Sequence, residues 1–139
     1  MPVRDYPGLQ KAVVLCIDDD EGMLECEEIF LKSFGDTVLT ASTASEGLEL
    51  ASLHSVDVVI VDYLMPEMNG QELAVEMRRL RPRSPIILLT GAVNVPQKTL
   101  NAVDAFITKD RLASELLPTI TQLHGCGPTL PPLYEEARL

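Results

Sequence analysis

The chain has 139 residues, of which 46% are hydrophobic and 23% charged, and its formal net charge is -10 at pH 7. This length fits one domain with a sizeable core, and the composition excludes an intrinsically disordered protein. The acidic balance argues against a nucleic-acid or anionic-membrane surface, because both partners require a basic face. No apolar run approaches a membrane span and the N-terminus has no signal-peptide pattern, so we expect a cytoplasmic location. The three cysteines are interpreted as reduced thiols, with Cys16 in the core.

Short apolar runs alternate with amphipathic segments along the chain. Residues 12–17 are apolar and rich in β-branched side chains, which predicts a strand buried on both faces. Residues 21–35 predict a helix, whose apolar side we assign to Met23, Cys26, Phe30 and Phe34. The same patterns predict further strands at 36–42, 57–62, 85–90 and 104–109, and further helices at 43–55, 71–82 and 110–125.

The fourth and the last predicted helices each contain an irregular feature. Residues 91–103 leave room for only a short fourth helix, beginning near Pro96. Pro118 should kink the last helix or delay its start, because proline cannot donate the helical hydrogen bond. The apolar sides of the second and third helices are assigned to Leu48, Leu50 and Ala51, and to Leu73, Met77 and Leu80.

Fivefold alternation of strand and helix predicts an α/β fold, a parallel sheet with helices on both faces. In such sheets, ligands bind beyond the carboxyl ends of the strands. The residues that follow or end these strands are chemically distinctive: Asp18, Asp19 and Asp20 after the first, Asp62 at the third, Thr90 at the fourth and Lys109 at the fifth. Clustered carboxylates repel one another, and a hard divalent cation such as Mg²⁺, Mn²⁺ or Ca²⁺ relieves that repulsion. The added lysine and hydroxyl point to a phosphoryl group as the anionic ligand.

Four motifs then agree in order and spacing: IDDD at 17–20, VDYLMPEMNG at 61–70, LLTG at 88–91 and FITKD at 106–110. Through them the chain resembles the receiver domain of two-component response regulators, of the stand-alone type. The resemblance implies a doubly wound, flavodoxin-like (βα)5 sheet of strand order 2-1-3-4-5. It covers the receiver domain at 11–124 and leaves an N-terminal leader (1–10) and a C-terminal tail (125–139), which we expect to be irregular because it is rich in proline and glycine.

The resemblance also implies a phosphoryl acceptor and a metal site. Asp62 would accept the phosphoryl group as a 4-aspartylphosphate, from a phosphohistidine on a sensor kinase or a phosphotransfer protein. Asp19 and Asp62 would bind Mg²⁺ through their side chains, Leu64 through its backbone carbonyl, and Asp18 through a water molecule. Asp20 is interpreted separately, as a cap or a solvated residue at the start of the first helix.

A second group of residues would carry the switch. By the same resemblance, Thr90 would bond a phosphoryl oxygen after a loop movement, and Lys109 would pair with the acyl phosphate. Phe106 would turn inward on activation. The output would be a protein–protein contact with an unidentified target, or onward passage of the phosphoryl group, by a monomer or weak dimer.

The sequence departs from the usual receiver pattern at three places. Lys109 is followed by aspartate and not by proline, so we expect a trans bond there. The short fourth helix puts in doubt the use of the surface formed by that helix, the fifth strand and the fifth helix. Leu64 and Ala92 cannot hold a hydrolytic water by side chain, which predicts slow self-dephosphorylation.

Two other functions stay open at this point. One is a pseudo-receiver, which would bind partners without being phosphorylated. The other is a phosphatase of the haloacid-dehalogenase type, which also uses an aspartate nucleophile after a strand. Its signature is D-x-D-G-T, whereas Glu21 here separates Asp20 from Gly22, and the chain leaves little room for a cap domain.

Overall fold

A computed structural model describes residues 11–92 and 94–124. Five strands form one parallel sheet: β1 (Val13–Ile17), β2 (Thr37–Ala41), β3 (Val58–Val61), β4 (Ile86–Thr90) and β5 (Ala105–Thr108). Their order across the sheet is β2-β1-β3-β4-β5, which confirms the predicted topology. The predicted leader and tail, with Cys126, lie outside the described residues.

Helices cover both faces of the sheet. They are α1 (Glu21–Lys32), α2 (Ala44–Leu53), α3 (Gly70–Leu80), α4 (Gln97–Ala102) and α5 (Leu112–His124). The apolar side chains of α1 and α5 form one core with the sheet, and those of α2, α3 and α4 contribute to the other. Within the described ranges, no helix combines the length and the apolar character that crossing a bilayer requires.

The strand register brings the ends of the central strands to one level. Ile17, the last residue of β1, pairs with Ala41 of β2 and with Val61 of β3. All residues of β3 and β4 are buried, as a strand covered on both faces requires. The residues that follow β1 and β3 therefore emerge side by side at the carboxyl edge.

The structure shows where the fourth and the last helix begin. The predicted short fourth helix is confirmed, because α4 has only 6 residues and follows Pro96 directly. A delayed start of the last helix is wrong: α5 begins at Leu112 and includes Pro118. A single 3₁₀ turn over Lys109–Arg111 precedes it, and all peptide bonds of the described residues are trans.

The inner face assigned to α1 is wrong in part: Phe30 packs against the core as predicted, but the fully buried positions are others. The buried residues are Leu24, Glu27 and Leu31, whereas Cys26 is exposed. At the start of the helix, the Asp20 carboxylate accepts hydrogen bonds from the amides of Gly22 (3.0 Å) and Met23 (3.2 Å). That cap confirms the interpretation of Asp20.

The inner faces of α2 and α3 are also corrected in part. The buried residues of α2 are the small ones, Ala44, Gly47 and Ala51, and its leucines Leu48 and Leu50 are only partly buried. The reason is the short distance between α2 and β1, since a Cβ on Gly47 would overlap the Ile17 side chain. In α3, Leu73 and Met77 are buried as predicted, but Leu80 is exposed.

Glu27 is a charged residue type in the middle of the core. Its side chain is 1% exposed, and it receives a hydrogen bond from the buried Cys16 thiol of β1. Burial is the main cause that raises the pKa of Glu27 from its ordinary value of 4.5 to about 7. The same burial, together with Glu27, raises the pKa of Cys16.

This burial predicts an unusual pH dependence of stability. Between the unfolded pKa of 4.5 and the folded pKa of about 7, the folded protein binds more protons at Glu27 than the unfolded chain does. The free energy of unfolding therefore falls as pH rises through that window, by about 3 kcal/mol in total. Urea denaturation should show the stability of Glu27→Gln relative to the wild type rising by most of this amount between pH 5 and pH 8.

The matched control is Glu25→Gln, an exposed acid on the same helix. Its stability relative to the wild type should be the same at both pH values. A Glu27→Gln variant that follows the wild type at both pH values would contradict the assignment of a raised pKa.

Candidate functional site

Two buried aspartates stand next to each other at the carboxyl edge of the sheet. The amide of Asp18 donates to the Ala41 carbonyl and the amide of Asp62 to the Ile17 carbonyl, both at 3.1 Å. These bonds continue the ladders of β1 and β3 by one residue. The exposed fractions of Asp18 and Asp62 are only 2% and 6%, so both carboxylates are largely removed from water.

Lys109 bridges the two carboxylates. Its Nζ lies 2.9 Å from Asp18 Oδ2 and 3.1 Å from Asp62 Oδ2. Burial lowers the pKa of Lys109, but the hydrogen bonds and charges of the two aspartates outweigh it, so the pKa lies above its usual value. The lysine is therefore firmly cationic and offsets the repulsion between the acids.

Asp18 remains poorly solvated even with this partner. Burial raises its pKa, the Asp20 amide (2.9 Å) and Lys109 lower it, and the nearby Asp62 raises it again. The net pKa of Asp18 lies above its usual value. A further positive charge beside Asp18 would stabilise its ionised form.

Three acids form a ligand set of the type that hard cations use. Carboxylate oxygens of Asp18, Asp19 and Asp62 lie within 4.8 Å of one another, and Asp19 is exposed. Oxygen donors alone favour Mg²⁺, Mn²⁺ or Ca²⁺ over zinc. The donor set fits such an ion, with the Asp19 side open to solvent. Asp20 is adjacent in sequence but is used by the helix cap.

The loop after Asp62 is held by features that the sequence interpretation did not assign. Gly70 donates from its amide to the Tyr63 carbonyl at 2.8 Å, and a Cβ at Gly70 would lie 2.7 Å from the Asp62 carbonyl oxygen. Asn69 and Glu72 form a capping box at the start of α3. The N-x-x-E spacing at 69–72 was the available signal for this box.

Leu64 lies on the open side of the same loop. Its amide is 3.5 Å from Asp62 Oδ1, and its side chain is among the exposed apolar ones at 60%. The side chain therefore points to the solvent side of the acceptor loop and offers no polar group there.

Among the described residues, the two predicted switch residues form no hydrogen bond with the acids of the cluster. The Thr90 side chain is buried, and its hydroxyl accepts a hydrogen bond from the Ala92 amide at 3.2 Å. Phe106 of β5 is 40% exposed. The structure thus brings together Asp18, Asp19, Asp62 and Lys109, and places Thr90 and Phe106 on the neighbouring strands β4 and β5.

Comparison with known proteins agrees with this geometry. The family described as "Response regulator receiver domain" matches residues 14–121. The transcriptional regulatory protein GlrR of Escherichia coli is 38% identical over 101 residues, covering 70% of this chain and 23% of GlrR. The cell cycle response regulator CtrA of Brucella ovis is 30% identical over 110 residues, covering 77% of this chain and 47% of CtrA. The chain thus spans less than half the length of these two relatives.

Solved structures show the same fold. A CheY-like receiver domain protein from Methanospirillum hungatei is 28% identical with a TM-score of 0.75, covering 85% of this chain and all of that one. The response regulator TrrA from Thermotoga maritima, in complex with Mg²⁺-BeF, is 29% identical with a TM-score of 0.76, covering 82% of this chain and 99% of TrrA. From sequence motifs, sheet topology and the acid–lysine cluster together, the chain belongs to the response regulator receiver domain family.

Proposed function

We propose that the chain is a phosphorylation-dependent switch of two-component signalling, in which Asp62 accepts a phosphoryl group from a phosphohistidine. The observation that carries this proposal is the position of the Asp62 carboxylate: at a buried strand end, beside Asp18, with the Lys109 ammonium 3.1 Å from Asp62 Oδ2. Two carboxylates buried side by side repel each other, so a purely structural role for Asp62 would not favour Asp18 as its neighbour.

The transfer itself is a substitution at phosphorus. A carboxylate oxygen of Asp62 attacks, the phosphorus–nitrogen bond of the donor breaks, and the electron pair returns to the imidazole, which takes up a proton. Both reactants are anionic, so the barrier depends on neutralising their charge. Lys109 supplies one positive charge at the reacting oxygen and would stay paired with the acyl phosphate.

A divalent cation would be held by the same cluster of acids. The proposed ligands are the Asp19 and Asp62 side chains, the Leu64 backbone carbonyl, and Asp18 through a water molecule. Bound Mg²⁺ would orient the phosphoryl oxygens and screen their charge. Support comes from the acid cluster and from TrrA, whose structure contains Mg²⁺-BeF. The oxygen-only ligand set would also admit Mn²⁺ or Ca²⁺.

The signal would pass from the acceptor to β4 and β5. The new phosphoryl group adds negative charge and hydrogen-bond acceptors. The Thr90 hydroxyl would leave the Ala92 amide to donate to a phosphoryl oxygen, and the half-exposed Phe106 would turn inward. Phosphorylation would thereby favour one of two conformations already present in the population.

The partners would be proteins on both sides of the transfer. The donor would be a sensor histidine kinase or a histidine phosphotransfer protein. The receiver would then act by binding a downstream protein, as a monomer or weak dimer, or by passing the phosphoryl group on. GlrR is named a transcriptional regulatory protein and CtrA a cell cycle response regulator, so regulatory output is the class of effect we infer.

Phosphorylation at Asp62 can be tested with a small acyl phosphate. Intact-mass spectrometry after incubation with Mg²⁺ and acetyl phosphate should show one added phosphoryl group on the wild type. Asp62→Asn should show none, because an amide is not a nucleophile toward phosphorus under these conditions. Asp20→Asn is the matched control, since Asp20 is a neighbouring acid used for the helix cap, and it should be modified like the wild type.

Each other result is informative. Modification of Asp62→Asn would move the acceptor to another residue. An unmodified wild type that binds Mg²⁺ would favour the pseudo-receiver, and repeated turnover of the donor would favour a phosphatase.

The lifetime of the phosphorylated form tests the role of Leu64. Its apolar, exposed side chain cannot position a water molecule for attack on the acyl phosphate, so we expect slow self-dephosphorylation. Leu64→Asn introduces a group that can orient a water molecule and should shorten the half-life about tenfold. Leu64→Ala, which removes the side chain without adding a polar group, should leave it nearly unchanged. A wild-type half-life of seconds would contradict this prediction.

A further inference from the structure

Glu27 lies on the inner face of α1, directly behind the strand that delivers the acidic cluster. Its carboxyl group contacts the thiol of Cys16, two residues before Asp18 on β1. The side chain is 1% exposed, and its Oε1 has no hydrogen-bond partner among the described residues. Glu27 is neither one of the proposed cation ligands nor the phosphoryl acceptor, so the proposed function does not explain its presence.

Packing alone does not explain a glutamate at this position. The other inward residues of α1 are Leu24 and Leu31, and the surrounding core is apolar. A carboxyl group with one unpartnered oxygen in such a core is unfavourable. A leucine would fill the same space without this penalty, so the glutamate is a candidate for a function other than packing.

The charges that act on Glu27 belong to the acceptor site. Asp18 at the end of β1 and Asp62 at the end of β3 disfavour its ionised form, and Lys109 after β5 favours it. On its own helix, Glu28 is paired with Lys32. The strand β2, which also packs against α1, carries no titratable side chain, and α5 contributes Leu116 and Ile120 to this layer.

We propose that Glu27 is a buried positioning residue of the acceptor site: it holds a proton while Asp18 and Asp62 share only Lys109, and it releases that proton to solvent when a divalent cation binds the aspartates. This inference rests on one part of the proposed function, the binding of a divalent cation by the aspartates, and does not require phosphorylation. A divalent cation adds two positive charges beside Asp18 and Asp62, which offsets the repulsion that these carboxylates exert on an ionised Glu27, while burial remains the larger cause of its raised pKa.

Linkage makes the effect reciprocal. If bound cation favours the Glu27 carboxylate, then ionised Glu27 strengthens cation binding by the same factor. The raised pKa of about 7 places the change in the neutral range. Cation affinity should therefore increase as pH rises through neutrality, with one proton leaving Glu27 for each cation bound at lower pH.

The first experiment observes Glu27 itself. Carbon-13 NMR of the glutamate side-chain carboxyl groups, recorded over pH 5–9, should show one resonance with a midpoint near 7. It should be absent from Glu27→Gln, which assigns it. Addition of Mg²⁺ should move its midpoint to lower pH. A Glu27 signal that is ionised throughout, or that does not respond to Mg²⁺, overturns the inference.

The second experiment measures the consequence. Titration calorimetry should show Mg²⁺ binding to the wild type strengthening between pH 6 and pH 8 by roughly fivefold more than to Glu27→Gln, in the range of ordinary site coupling. Glu25→Gln removes an exposed negative charge from the same helix, and its affinity should change with pH as the wild type does. Equal pH profiles for wild type and Glu27→Gln overturn the inference, as does a wild type that binds no Mg²⁺.

Two features keep the tests decisive. If Glu27→Gln does not fold, Glu27→Leu, which suits the apolar layer, assigns the resonance and supplies the weaker pH dependence of Mg²⁺ binding. Neither readout uses a phosphoryl donor. A wild type that shows the linked proton but is not modified by acetyl phosphate contradicts the proposed function alone, and a modified wild type with an unresponsive Glu27 contradicts this inference alone.

Discussion

The ion triad of Asp18, Lys109 and Asp62 is the interaction on which the rest of the structure depends. Two carboxylates buried on adjacent strands repel each other, and one ammonium group at 2.9 and 3.1 Å holds both. Loss of one partner from a buried ion pair is costly, because the remaining charge has no water to solvate it. The fold meets this demand by bringing the ends of β1, β3 and β5 to the same edge.

A triad of this composition is stable but not electrically complete. It carries two negative charges and one positive charge, and Asp19 adds another carboxylate on the solvent side. The cluster therefore keeps a net negative charge that a divalent cation would reduce. That property, together with an ammonium that stays cationic, suits a reaction in which negative charge arrives from outside. Structural stability and proposed chemistry thus come from the same imbalance.

The sheet and the acidic cluster were predictable from the sequence, because strands buried on both faces are continuous apolar runs. Asp62 was identifiable from such a run, 57–62, that ends on an acid, and the four motifs gave the strand order. The inner face of α1 was not predictable in the same way. A periodicity argument assigns apolar residues inward, and it therefore passed over Glu27 in favour of Cys26. The close approach at Gly47 also needed the distance between α2 and β1, which no local pattern contains.

The contact at Gly70 has a mechanical consequence for the site. The acceptor backbone at Asp62 and the first turn of α3 touch without an intervening side chain, and the Tyr63–Gly70 hydrogen bond closes the loop between them. These parts form a stiff frame on one side of the carboxylate. On the other side, β4 runs into a connection to a helix of only 6 residues. A deformation of the pocket would therefore meet more resistance on the Asp62 side than on the Thr90 side.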